Sequence, residues 1–222
     1  MLGTIVGPGP RFKLGSRLRC VDARGGLRTV AHRMRIIAGE WGGRRLEVPP
    51  GIRPMLDRER ERLFGILGAR VEGAAVLDVF AGSGAISLEA LSRGARLATL
   101  VENGRHVLPV LRRNLEALGT GPRARLLPIS AFGLPKSGEP GQGSVEIAVV
   151  TPPFPLLEDL SLRQRFETLF LYVARRLLVP KGLLVIEHPE GLDPALLGLG
   201  PPRDSRRTAA SALSFWDALD AA

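Results

Sequence analysis

From residue 75 onward, short apolar runs rich in Val, Leu and Ile alternate with stretches whose apolar residues recur every three to four positions. Residues 75–80 predict a buried strand, 85–93 a helix, 97–101 a strand and 105–118 a helix. Residues 125–128 predict a weak strand and 145–150 a clear one. Residues 160–178 predict a helix closed by Pro180-Lys181-Gly182, and 183–187 a further strand. The ends 206–208 and 212–216 read as a closing hairpin, and the Gly/Pro/Ser-rich stretch 134–144 as a surface loop. This alternation predicts an α/β fold, a mostly parallel, doubly wound sheet with helices on both faces.

Upstream the period changes. Residues 35–38 and 44–48 read as two strands joined at Gly42-Gly43, an N-terminal β-hairpin stopped by Pro49-Pro50-Gly51. Residues 57–67 read as a helix, with Asp57 as N-cap and Leu63, Phe64 and Leu67 at helical spacing. Residues 1–33, rich in Gly, Pro and Arg, show neither period and read as a disordered basic extension. Met34 opens a segment that reads like a natural start, so we expect residues 34–222 to be a single domain. Within it, 34–70 forms the hairpin and helix, and 71–222 the sheet core.

Composition narrows the partners. The 222 residues carry a formal charge of +9, which favours polyanions. Residues 1–33, with seven basic side chains and one acid, hold six of those nine charges, so the domain itself is only mildly basic. Cys20 is the single cysteine, and His32, His106 and His188 are scattered, so no metal site is expected. No apolar run reaches 18 residues, so no membrane span is expected. A cytoplasmic, monomeric, metal-free protein is the expectation.

The most informative run is Val76-Leu77-Asp78-Val79-Phe80-Ala81-Gly82-Ser83-Gly84-Ala85, a strand entering a glycine turn and then a helix. Gly82 and Gly84 let the backbone approach a ligand without a Cβ clash. Alone, this pattern suits several nucleotide-type ligands. Two details narrow it. Ser87 takes the place where a dinucleotide fingerprint wants a third glycine, and Asp78 sits four residues before Gly82. A carboxylate there repels a pyrophosphate and attracts the ammonium and sulfonium of S-adenosyl-L-methionine. Glu102, closing the next strand, suits the two ribose hydroxyls.

Thr151-Pro152-Pro153-Phe154 follows the strand at 145–150. Two prolines cannot continue a central strand, so the chain turns outward at the carboxyl end of the sheet. Fixed carbonyls there can accept amino hydrogens, and Phe154 can stack on a flipped base. An exocyclic amine is a poor nucleophile, so catalysis would consist of positioning and preorganised dipoles.

These residues carry a resemblance. Met34-Arg35-Ile36-Ile37-Ala38-Gly39-Glu40-Trp41-Gly42-Gly43-Arg44-Arg45-Leu46, Gly51-Ile52-Arg53-Pro54, Asp57 through Phe64, Leu77 through Gly84, Glu89 through Ala95, Pro152-Pro153-Phe154 and Ala212 through Trp216 match in order. The chain resembles the RsmD-type bacterial 16S ribosomal RNA guanine-N2 methyltransferases. The resemblance implies a Rossmann-like methyltransferase fold, S-adenosyl-L-methionine as cofactor, and ribosomal RNA within a small-subunit assembly as partner. It implies donor contacts from Asp78, Phe80, Ala81, Gly82, Ser83, Gly84, Glu102, Ser130 and Ala131, and a catalytic corner of Thr151, Pro152, Pro153 and Phe154. It implies phosphate contacts from Arg35, Arg44, Arg45, Arg53, Arg58 and Arg60. The chain departs from the pattern at Thr151, where the family has Asp or Asn, and at Ser130, near which it tends to carry an acid. Met55 and Leu56 stand at two threonine-like positions. Another amine target (adenine N6 or a protein glutamine) and a non-catalytic RNA-binding relative remain open alternatives.

Overall fold

The computed structural model describes residues 17–21, 27–31, 34–52, 54–207 and 211–220. Strands β1 (Arg17–Val21) and β2 (Leu27–Ala31) pair antiparallel, with Leu18 opposite Val30 and Cys20 opposite Arg28. Both strands lie within the stretch read as a disordered extension, and the rest of residues 1–33 lies outside the described residues. The alternation Arg17-Leu18-Arg19-Cys20 is a strand signal too short to stand out between Gly/Pro-rich flanks.

The hairpin is shorter than its sequence predicts. β3 (Met34–Arg35) pairs with β4 (Arg45–Leu46) over two residues each. A carboxylate from elsewhere interrupts it. Glu89, fully buried, accepts the Ile37 N–H at 2.7 Å and the Ala38 N–H at 3.1 Å, removing both donors from the ladder. Helix α1 (Asp57–Leu67) has the expected bounds and buries Leu63, Phe64 and Leu67. Its N-cap is Leu56, not Asp57, because the Glu59 carboxylate reaches back to the Leu56 N–H at 3.0 Å. Asp57 instead becomes the first helical residue and pairs with Arg60 at 3.0 Å.

The main sheet then builds in alternation: β5 (Ala75–Val79), α2 (Ala85–Ser92), β6 (Leu97–Val101), α3 (Leu108–Ala117), β7 (Ala124–Leu127) and the short α4 (Leu134–Ser137). It continues with β8 (Val145–Val150), α5 (Phe154–Glu158), α6 (Arg163–Tyr172), β9 (Leu178–Pro189), β10 (Asp204–Arg207) and β11 (Ser211–Asp217). Strand order is β10-β11-β9-β8-β5-β6-β7, parallel except that β11 runs antiparallel to β9 and β10. β9 is much longer than predicted. Pro180-Lys181-Gly182 does not end the element but bulges within it, since Val145 pairs with Leu178 while Ile147 pairs with Leu183. The predicted long helix ends early, at Tyr172, and a π-helical turn over Val173–Leu177 leads into β9. The predicted loop at 134–144 contains α4, anchored by buried Leu134.

Strand alternation divides the core. One cluster holds Val76, Leu100, Val149, Val185 and Leu213 against α1, α2 and the hairpin. The other holds Leu77, Val101, Val150, Ile186 and Trp216 against α6. Among the described residues no helix is long and apolar enough to cross a membrane.

Candidate active site

β5 ends at the carboxyl edge of the sheet, and the turn after it is pinned from both sides. The Phe80 and Ala81 N–H groups both donate to the Val101 carbonyl at 3.1 Å, which holds Phe80 at φ 68. A phenylalanine rarely adopts that left-handed conformation, and such strain clusters at functional sites. Gly82 follows at φ +56; a Cβ there would meet only Ile52 and Phe80 atoms at 3.9 Å, so the space over the turn is open. Gly84, at φ +80, is closed below: a Cβ would lie 2.6 Å from the Leu111 side chain. Ala85 then starts α2, so the turn presents N–H groups at a helix N-terminus.

Asp78 lies beneath this turn rather than at its mouth. It is fully buried, and its Oδ2 accepts the Ser87 N–H at 3.2 Å and the Ser87 hydroxyl at 2.8 Å. Its Oδ1 has no hydrogen-bond partner among the described residues. Burial pushes its pKa up to about 7, against the lowering effect of the Ser87 bonds, with the Glu102 charge adding a smaller push. An orphaned buried carboxylate oxygen under an open glycine bend fits a cationic ligand group seated above it.

Glu102 ties the turn to the next strand. Its Oε2 accepts the Gly82 N–H at 2.9 Å, and its Oε1 accepts Asn103 N–H at 2.9 Å and Gly104 N–H at 2.7 Å. A carboxylate has about four acceptor positions, so capacity remains for a ligand hydroxyl. The Ser83 side chain is not in the crevice. Its hydroxyl donates to the Met34 sulfur at 3.3 Å and its carbonyl accepts from Asn114 at 2.9 Å, so the residue faces the hairpin. Ser130, half-buried, caps a 3-10 turn whose first residue, Ala131, is buried. Beside them is a group that the sequence reading missed. Phe132 packs edge-on against Phe80 and Phe166, with the Arg165 guanidinium 4.3 Å over its ring. No spacing in the sequence links those residues.

The proline corner sits on the adjacent strand. Thr151 N–H donates to the Val79 carbonyl at 3.1 Å, so the corner leaves directly beside the glycine turn. Pro152 is buried and Pro153 exposed. The Pro153 carbonyl accepts the Leu156 N–H at 2.9 Å as α5 begins, and Phe154 is half-buried in that first turn.

The arginines divide. Arg35 is exposed, 3.6 Å from Asp57, and Arg44 donates to the Ala117 carbonyl at 2.9 Å. Arg45 on β4 and Arg58 on α1 are exposed, without an ion-pair partner among the described residues. Arg60 is a correction: with 0% exposure it cannot reach a phosphate. Its guanidinium donates to the Arg35 carbonyl at 2.5 Å and the Met55 carbonyl at 3.3 Å, which fastens α1 to β3. Arg53 lies outside the described residues. Among those residues no cluster of His, Cys, Asp or Glu could hold a metal ion.

The family model described as Conserved hypothetical protein 95 matches residues 34–198. The chain is similar to the ribosomal RNA small subunit methyltransferase D of Escherichia coli K12, 48% identical over 124 residues, 54% of this chain and 60% of that protein. The Haemophilus influenzae protein of the same name is 37% identical over 124 residues, covering 54% of this chain and 64% of its own length. These alignments therefore span somewhat under two thirds of the relatives' lengths. Among solved structures, the putative methyltransferase yhhF from Escherichia coli superposes with a TM-score of 0.67 at 32% identity, over 86% of this chain and 99% of that one.

Proposed function

Because the chain belongs to the Conserved hypothetical protein 95 family, we propose that it transfers a methyl group from S-adenosyl-L-methionine to the exocyclic N2 of a guanine in small-subunit ribosomal RNA. One observation carries the reading: an open glycine bend between two acids, Asp78 and Glu102, hydrogen-bonded through Val79 to the start of the Thr151-Pro152-Pro153-Phe154 corner. Names borne by the relatives supply the substrate class.

In this reading the Gly82–Gly84 backbone and the Asp78 carboxylate below it hold the cationic end of the donor, and Glu102 takes a ribose hydroxyl. Phe80, Ala131 and Phe132 provide apolar contact for the adenine. When bound, S-adenosyl-L-methionine supplies an electrophilic methyl on a sulfonium, and the electrons of the broken C–S bond stay on sulfur. The Pro152 carbonyl accepts a hydrogen from the target amine, and Phe154 stacks on the flipped base. Dry, prearranged dipoles of this kind act by orientation more than by acid–base chemistry. Arg35, Arg44, Arg45 and Arg58 line up on the hairpin and α1 for phosphate contacts. The protein works as a monomer in the cytoplasm, on a partly assembled small subunit.

Tritiated-methyl transfer onto 30S subunits, naked 16S RNA, DNA and bulk protein tests this. Label in RNA, recovered as N2-methylguanosine after digestion, is expected. Label only in protein would overturn it. One observation favours a second reading: Thr151 stands where the resemblance expects Asp or Asn, and Ser130 near where it expects an acid, which fits a relative that binds donor and RNA without transfer. Donor binding by calorimetry with no transfer to any acceptor would select that reading.

A further inference from the structure

With Thr151 where the resemblance expects Asp or Asn, the corner offers the target amine only neutral acceptors. The sheet register supplies a charged one. β8 and β9 run parallel, with Val149 beside Val185 and Val150 beside Ile186. The pairing ends there, with Thr151 following Val150 off the end of β8 and Glu187 following Ile186 on β9, so the two residues stand at neighbouring strand ends. Their faces agree as well. Val149, Val185 and Leu213 belong to the cluster under the hairpin and α1, while Val150 and Ile186 belong to the opposite one. Glu187 pairs with Leu213 across β11, so its side chain leaves the sheet on the hairpin side. Glu187 is only 9% exposed, at the carboxyl edge where open α/β sheets bind ligands. A carboxylate so nearly withdrawn from water is costly as core filler and is kept where it engages polar groups.

We propose that Glu187 is the catalytic carboxylate that accepts a hydrogen bond from the exocyclic amine, the role an acid at position 151 would fill. The inference rests on the methyltransferase reading above. One amino hydrogen goes to the Pro152 carbonyl and the other to Glu187. Localising the lone pair makes the nitrogen a better nucleophile. When the N–C bond forms, the nitrogen turns cationic, and its proton passes to the Glu187 carboxylate and from there to water.

The test compares the wild type with Glu187→Gln, Thr151→Asp and the double variant. It reads kcat and KM on 16S RNA, donor affinity by calorimetry, and thermal stability. Glu187→Gln should lower kcat by about 100-fold or more, the effect of losing one preorganised polar group, with donor affinity and melting temperature within error of the wild type. Adding Thr151→Asp to Glu187→Gln should recover at least tenfold, which a merely structural glutamate would not allow. Wild-type kcat in Glu187→Gln overturns the inference. So does a loss that follows the melting temperature and resists rescue. If the wild type itself labels no RNA, the methyltransferase reading falls first, and donor calorimetry then separates that failure from this one.

Discussion

Asp78 supports the N-terminal turn of α2 from below through Ser87, yet its second oxygen lacks a donor among the described residues. Its pKa, raised from 3.8 to about 7 chiefly by burial, makes stability depend on pH. The folded state holds the proton more tightly than the unfolded chain. Stability is therefore full below about pH 4, falls as pH rises towards 7, and is flat above. Asp78→Asn should remove this slope between pH 5 and 8 in denaturant melts, and should also cost donor affinity. A cation seated over Asp78 favours its ionised form, so wild-type donor affinity should rise from pH 5.5 to 7.5, and calorimetry will show it. Gly84→Ala should destabilise by about 1–3 kcal/mol, because the added Cβ meets Leu111 at 2.6 Å and φ is +80. At this scale the sequence located the acids but not their directions. Asp78 and Ser83 both lie in the motif, but Ser83 turns away from the crevice towards Met34, and Asp78 lies beneath the bend with one oxygen given to Ser87. The choice depends on packing between segments up to 49 residues apart.

The elements that matched their predicted bounds, α1, β6 and β8, are those whose burial pattern is complete within the segment. The hairpin failed that condition because its ladder is completed by α2. Glu89 receives Ile37 and Ala38 N–H groups and also pairs with Arg93 at 2.7 Å. Glu89→Ala would leave two amide donors and a guanidinium without their acceptor. A loss of about 3 kcal/mol is expected, with faster amide exchange confined to residues 34–48. The arginines divide by the same logic. Arg60→Ala should destabilise the fold by on the order of 3 kcal/mol, since it empties a fully buried site and takes from Asp57 the nearer of its two cationic partners. Arg45→Ala and Arg58→Ala should leave the melting temperature unchanged, weaken RNA binding, and each reduce the salt slope by about one unit. Equal melting temperatures for all three would refute the division. In the sequence the arginines look alike; α1 winding against β3 is what distinguishes Arg60.

For the molecule as a whole, the alternation of apolar runs made the parallel sheet legible, and the glycine motif marked the turn at the sheet's carboxyl edge. What stayed hidden was lateral: which strand lies beside which. The pairing of β8 with β9 brings Glu187 and Thr151, 36 positions apart in the chain, to neighbouring strand ends. Charge also acts at this scale. Residues 1–33 hold six of the nine net positive charges, so a chain starting at Met34 should retain transfer but bind RNA with a weaker salt dependence.

The sheet's outermost strand, β10, reads Asp204-Ser205-Arg206-Arg207, and its far end is held to α1 where Arg62 donates to the Arg207 carbonyl at 2.5 Å. A second copy adding itself to that margin would have to desolvate Arg207 and the Arg206–Asp204 ion pair along a polar ribbon. Growth into fibres is thereby discouraged at the point where an open sheet is most prone to it. Neutralising Arg206 and Arg207 would remove that guard and invite edge-to-edge aggregation.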